Sequence, residues 1–284
     1  MSNRKIALLS GGVFAMFMAA CTPKQEVKPA APAADAAKPA ATAPAAEAMN
    51  LKFGTDATYA PFESTDASGA IVGFDIDIAN AMCEEMKAKC SFINQAWEGI
   101  IPGLTTKKYD VIASSMSITP ERKQSVRFTQ KVWSAPNRFV AKEGSALQIT
   151  PEGMKGHAFG VQQGTIQETY AKKYYPDAKI KSYKTIEDAY ADLAAKRIEA
   201  VFADGVVLSD GFLSKPAGKG YAQLGADVPN AADPVILGDG TGFAVRKEDA
   251  ELADKLNKAF DAIRANGKYK AIADKYFKFD IYGG

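Results

Sequence analysis

The sequence predicts an α/β fold built as two similar lobes. Short apolar strands alternate with helix-forming segments from residue 51 onward, and the unit of strand, polar loop and helix occurs twice. Polar residues gather just after the strands. Ligands of open α/β sheets lie outside the carboxyl ends of the strands, so these clusters are the candidate site positions.

The first strand covers residues 51–56 and ends at Asp56. Residues 59–63 (Tyr-Ala-Pro-Phe-Glu) read as a loop, and residues 70–77 lead into a helix whose apolar positions Ile76, Ile78, Ala79, Met82 and Met86 partly follow a helical period. A short strand follows at 91–93, a helix opens at Trp97 and runs to Leu104, and residues 109–115 form the next strand. Its end, Ser114-Ser115-Met116-Ser117-Ile118-Thr119, precedes Pro120, which suits the first turn of a helix with Thr119 as its cap. Arg122 on that turn can fork back over the strand end. Hydroxyls, free N–H groups and a guanidinium at one point make a carboxylate trap.

A second unit begins near Pro136. Residues 156–165 form a strand running into a Gly turn, and a helix continues through Tyr174. A strand covers 180–183, an amphipathic helix 185–197, and a strand 200–204 ending in Asp204. Thr185 with Asp188 makes a capping box. Helices at 252–266 and 269–276 close the chain. Crossings near 134–136 and 237–240 predict a two-strand hinge, with a ligand cleft between the lobes.

The chain has 284 residues, with 35 Lys+Arg against 33 Asp+Glu. Without a basic stripe interleaved with aromatics, nucleic acid is not an expected partner. Arg4 and Lys5 followed by the apolar run 6–20 form a targeting segment, too short for a comfortable membrane span. The small residues before Cys21 resemble a bacterial lipoprotein signal (1–20), with Cys21 lipidated and the chain held at a membrane; a secretory signal with free Cys21 is the competing reading. Residues 21–48 are mostly Ala and Pro, a tether that buries too little to fold. Cys83 and Cys90 stand seven residues apart, and in an exported protein a disulfide is the default expectation, a reduced pair the alternative. With His157 the single histidine, metal sites and histidine-based catalysis have few resources, so no metal and no cofactor are expected.

Five stretches together carry a resemblance: Gly-Thr-Asp-Ala-Thr-Tyr-Ala-Pro-Phe-Glu (54–63), Gly-Phe-Asp-Ile-Asp-Ile-Ala (73–79), Ser-Ser-Met-Ser-Ile-Thr-Pro-Glu-Arg (114–122), Gln-Gly-Thr (163–165) and the terminal Tyr-Phe-Lys-Phe-Asp-Ile-Tyr-Gly-Gly (276–284). From residue 51 to 284 the chain resembles the periplasmic solute-binding proteins for polar amino acids that serve ABC importers. It is most similar to their basic amino-acid branch, which binds lysine, arginine, ornithine or histidine. The resemblance implies the two-lobe periplasmic binding protein fold, with lobe 1 at 49–135 and 239–284 and lobe 2 at 136–238. It implies ABC permease subunits as partners, a monomer, and no catalysis. Cys83–Cys90 fits a disulfide of this branch.

Carried over by residue, Arg122 pairs with a ligand α-carboxylate, helped by Ser117 and the backbone of Thr165. Asp204 takes the α-ammonium with Ser115, and Gln167 joins the set. Asp56 meets a distal cation with Ser114 beside it, while Tyr59 and Trp97 sandwich the ligand stem, an arrangement suited to a guanidinium and hence to arginine. Trp97 has plain core packing as its alternative, and Glu63 reads as a solvated loop acid, with added negative charge at the pocket mouth as its alternative. Three positions depart from the resemblance: Ile166 replaces a frequent hydroxyl, Gln162 a frequent apolar residue, and Gly205 a frequent acid. An enzyme on the same fold (dehydratase-like or glycan-cleaving) would need a general acid or base poised in the cleft; a sensory or adhesive surface lipoprotein is a further rival.

Overall fold

A computed structural model describes residues 49–283 of the chain. The signal segment, Cys21 and the Ala/Pro tether therefore lie outside the described residues. Two five-stranded sheets of matching topology organise the rest.

In the first half the chain forms β1 (Asn50–Thr55), the short strands β2 (Thr58–Tyr59), β3 (Glu63–Thr65) and β4 (Ile71–Val72), helix α1 (Phe74–Glu85), β5 (Lys89–Asn94), α2 (Ile100–Thr105), β6 (Val111–Ile112) and β7 (Val126–Phe128). The second half contributes β8 (Asn137–Lys142), β9 (Ala158–Gln162), α3 (Ile166–Tyr174), β10 (Lys179–Tyr183), α4 (Ile186–Ala194), β11 (Ala200–Asp204), one turn of α5 (Gly205–Val207), β12 (Tyr221–Val228) and a turn of α6 (Pro234–Leu237). The chain then adds β13 (Ala244–Arg246), α7 (Ala250–Ala265) and α8 (Lys268–Tyr276).

One sheet has the order β5-β1-β6-β13-β7 and the other β10-β9-β11-β8-β12. In each, three parallel strands are followed by a fourth that runs antiparallel to its neighbours. The fourth strand of the first sheet, β13, comes from beyond the whole second sheet. The chain must therefore cross between the sheets twice. Its crossings pair with one another: Thr241 N donates to Trp133 O at 2.8 Å, and Val132 N to Thr241 O at 2.7 Å. This is the two-strand hinge expected from the sequence.

Apolar burial fixes both sheets. Phe62 stacks on Trp133 with ring centroids 3.8 Å apart, anchoring a crossing to the first core, and Phe139 stacks on Phe202 at 4.3 Å in the second. A disulfide joins Cys83 of α1 to Cys90 of β5. Gly73 begins α1 at φ 137°, and a Cβ there would strike the Phe62 carbonyl. Only glycine meets both demands.

Several local expectations needed correction. The stretch 59–63 is not a loop throughout; β2, β3 and β4 make a small antiparallel sheet. No helix starts at Pro120. A single 3-10 turn covers Arg122–Gln124, with Thr119 Oγ1 accepting from Arg122 N at 3.2 Å. β6 is only two residues long, Val111–Ile112. α4 ends at Ala194 rather than 197, since Lys196 takes a positive φ of 60°. Thr185 caps α4 by accepting from Asp188 N at 3.1 Å.

Candidate ligand-binding site

The carboxyl ends of β1, β6, β9 and β11 converge on a cavity between the two sheets. All ten side chains anticipated as ligand contacts line it: Asp56, Tyr59, Trp97, Ser114, Ser115 and Ser117, together with Arg122, Thr165, Gln167 and Asp204. Glu63, Gln162 and Ile166 complete the wall. Strand ends supply both side-chain and free backbone polar groups there.

On the first sheet, Asp56 follows β1 and its backbone N–H donates to Ser114 Oγ at 2.8 Å, locking the ends of β1 and β6 together. Thr58 Oγ1 donates to Asp56 Oδ1 at 3.0 Å. Ser115 adopts a left-handed conformation (φ 49°), which turns its N–H to Asp75 Oδ2 at 3.0 Å. The Ser115 hydroxyl is buried without a hydrogen-bond partner among the described residues. Arg122 sends Nη1 back to Ser117 O at 3.1 Å and lays its guanidinium 5.0 Å from the Trp97 ring centroid. The expected fork over the strand end is thus present, and Trp97 supplies one face of it.

On the second sheet, Thr165 caps α3 by accepting from Glu168 N at 3.2 Å, while Glu168 Oε2 accepts from Gly164 N at 2.7 Å. This reciprocal cap holds the Gly turn rigid at the cavity wall. Gln167 Nε2 donates to Asn137 Oδ1 at 2.6 Å and to Asp204 Oδ2 at 3.2 Å.

Among the described residues, four hydrogen bonds cross the cavity from one wall to the other. Tyr59 donates to Asp204 Oδ2 at 2.5 Å and Gln162 Nε2 to Asp56 Oδ2 at 2.9 Å. Trp97 Nε1 and Arg122 Nη2 both donate to Gly164 O, at 3.0 and 3.5 Å. The cavity walls are in contact, as in a closed cleft.

Burial sets the electrostatics. It lowers the Arg122 pKa to about 10, which leaves the guanidinium protonated at neutral pH. Burial raises Asp204 to about 6, against the opposing hydrogen bonds of Tyr59 and Gln167. Burial likewise raises Asp56, opposed by Thr58 and Gln162. Glu63 is 1% exposed, and neither carboxyl oxygen has a hydrogen-bond partner among the described residues. Burial first, and then the neighbouring Asp75, push its pKa well up. Glu63 is therefore no solvated loop acid; the sheet β2-β3-β4 folds it inward. One guanidinium thus faces the carboxyl groups of Asp56, Glu63 and Asp204, an excess of acid over base.

His157 stands apart from the cavity, half exposed, with Nδ1 2.8 Å from Glu199 Oε2. Glu63 and Gln162 were legible as polar residues at a strand start and a strand end, but their burial was not. Ile166 contributes apolar wall.

Two α/β lobes joined by paired crossings, with a cavity of both charge signs between them, define a bilobal small-molecule receptor. The profile of the bacterial extracellular solute-binding proteins, family 3, matches residues 51–279, and the chain belongs to that family. It is 48% identical over 235 residues to the L-arginine-binding protein of Pseudomonas aeruginosa, covering 82% of this chain and 90% of that protein. It is 46% identical over 242 residues to the histidine-binding periplasmic protein of Escherichia coli K12, covering 84% of this chain and 92% of the other. The lysine/arginine/ornithine-binding periplasmic protein of the same strain is 44% identical over 246 residues, 86% and 94% of the two chains. Among solved structures, a periplasmic binding protein of Salmonella typhimurium with high arginine specificity superposes with a TM-score of 0.75 at 36% identity, over 81% of this chain and all of that one. An ancestral arginine-binding protein bound to arginine gives 0.74 at 34%, over 80% and 98%.

Proposed function

We propose that this chain is the substrate-binding component of an ABC importer, capturing L-arginine or another basic amino acid (lysine, ornithine or histidine) by lobe closure and presenting it to permease subunits. The observation that carries this reading is the pairing of Arg122 on one wall with Asp204 on the other, beside the further carboxylate of Asp56. An α-amino acid needs one cation and one anion close together, and a basic side chain needs a second anion. Relatives named for arginine, histidine and lysine/arginine/ornithine binding support the same class, and one relative, 40% identical, is named an ABC transporter arginine-binding protein.

In this reading Arg122 pairs with the α-carboxylate, with Ser117 and the Thr165 N–H as additional donors. Asp204 takes the α-ammonium, flanked by Gln167 and the unpartnered Ser115 hydroxyl. Asp56 with Ser114 meets the distal cation, and Tyr59 and Trp97 flank the stem. Lobe 1 comprises 49–135 and 239–284, and lobe 2 comprises 136–238. Closure is a population shift driven by contacts that only the closed state offers. The protein binds and releases without bond making, works as a monomer, and is held at the periplasmic or outer face of a bacterial membrane by lipid on Cys21 after removal of residues 1–20.

A thermal-shift screen of the common amino acids and ornithine, followed by calorimetry, tests this. A ligand at a hundred times its Kd stabilises the native state by about 2.7 kcal/mol. Basic amino acids are expected to raise Tm and acidic ones to leave it unchanged. No stabilisation by any basic amino acid, or steady product formation from one, defeats the proposal.

A further inference from the structure

We infer that Glu168 is a positioning residue that presents the Gly164 carbonyl as a latch for the closed cleft. The inference rests on the receptor reading above and concerns how long a bound ligand is held.

Gly164 O accepts from two side chains of the opposite wall, Trp97 Nε1 at 3.0 Å and Arg122 Nη2 at 3.5 Å. A carbonyl oxygen has two lone pairs, so this one atom serves both donors. Both bonds span the cleft, and parting the walls breaks them whatever the ligand. The indole nitrogen only donates, which makes it a fastening separate from any stacking on the ring face.

The turn is held so that this carbonyl points across the cleft. Gly164 sits in the left-handed region at φ 71°, and its N–H donates to Glu168 Oε2 at 2.7 Å. Thr165, on the other side of the carbonyl, donates Oγ1 to Gln162 O at 2.7 Å and accepts from Glu168 N at 3.2 Å. The Gly164–Thr165 peptide is therefore tied at both ends, where a glycine alone would leave it free to turn away. Glu168 is 8% exposed and does not line the cavity. Its second oxygen accepts from Ser182 Oγ of β10 at 2.5 Å and from Lys172 Nζ of α3 at 2.8 Å. Donors from the turn, β10 and α3 thus fix one carboxylate, and that carboxylate fixes the latch. Glu168 acts through Gly164 and touches no ligand.

Release of labelled arginine and labelled lysine into excess unlabelled ligand tests the assignment, with association rates measured alongside. The proteins are the wild type, Trp97→Phe, Glu168→Ala, Glu168→Gln and the double variant Trp97→Phe/Glu168→Ala. Phe keeps an aromatic face and removes the indole N–H; Glu168→Met repeats the removal of the carboxylate should Ala not fold, and circular dichroism and Tm check each protein. Release is expected to quicken about two- to tenfold in Trp97→Phe and in Glu168→Ala, alike for both ligands, while association changes less than about twofold. Glu168→Gln keeps an oxygen for the Gly164 N–H and should restore most of the wild-type rate. Because both side chains act on one carbonyl, Glu168→Ala should quicken release less in the Trp97→Phe background than in the wild type. Unchanged release from Trp97→Phe would remove the latch, and a loss for arginine alone would assign Trp97 to stacking. Fully additive effects, or a Glu168 effect confined to Tm, would reduce Glu168 to a helix cap. Each of these results overturns the inference and leaves the receptor reading standing, whereas absence of binding of either ligand by the wild type overturns both.

Discussion

Tyr59 and Asp204, 145 residues apart in the chain, meet across the cavity with the phenolic hydroxyl donating to Asp204 Oδ2 at 2.5 Å. The bond favours the ionised carboxylate, while burial raises its pKa to about 6. A ligand ammonium would favour the ionised form further, so the bound-state value lies below the free one. Affinity for a basic amino acid should then be flat above about pH 6 and fall by up to about tenfold per pH unit below it. Tyr59→Phe removes a donor to the carboxylate and should move that midpoint upward. Calorimetry across the range checks both; affinity that stays flat through the midpoint, or a midpoint that drops in the variant, contradicts the assignment of Asp204.

Arg122 is the single arginine or lysine of the cavity wall. Losing one partner of a buried, hydrogen-bonded charge pair costs about 2–5 kcal/mol of binding. Arg122→Ala should therefore weaken any α-amino acid by that amount. Its circular dichroism spectrum should not change, because the guanidinium makes only Ser117 and Gly164 backbone contacts and rests on Trp97. Retained affinity in the variant would falsify the carboxylate role.

Asp56 separates cationic from neutral ligands. Asp56→Asn keeps the shape and the hydrogen bond from Thr58 but removes the charge. Arginine and lysine should lose at least about 1.5–3 kcal/mol, the worth of a hydrogen bond to a charged group, while glutamine loses little. Equal losses across the series would place Asp56 in the frame of the site and not in its recognition.

Glu63 of the cavity wall and Asp75 form a buried acidic pair. Burial raises Asp75 to about 7, opposed by hydrogen bonds from Ser115 N and Trp133 Nε1. A carboxyl group whose folded pKa exceeds its unfolded value binds more protons when folded. Its contribution is complete below the ordinary carboxylate range and is lost as pH rises through about 7. Stability should therefore decline from mildly acidic to mildly alkaline pH. Glu63→Gln, which leaves a neutral group in the same space, should flatten the decline and raise Tm at pH 8. Denaturant midpoints against pH measure it, and an unaltered slope would clear Glu63 of any part in it.

Much of the site could be read before folding because its residues occupy positions with local signatures. Asp56 and Asp204 each terminate an apolar strand, Thr165 precedes a helix, and Arg122 follows a Ser/Thr-rich strand end. The burial of Glu63 is not legible locally, because Pro61 and its neighbours carry turn chemistry while the small sheet that buries Glu63 depends on pairing with Ile71–Val72. β12 escaped notice for a related reason. Gly225 interrupts an edge strand of mixed polarity, so neither alternation nor an apolar run marks it.

The sequence by itself determined the alternation of strands and helices, their doubling into two lobes, and the polar strand ends that became the cavity wall. These follow from hydrophobic period and capping chemistry, which act over a few residues. Only the tertiary structure decided that Tyr59 meets Asp204 while Gln162 meets Asp56, over separations of 145 and 106 residues. Such pairs are chosen by the burial of two sheets against each other: once water is excluded, each polar group must find whichever partner the packing brings near.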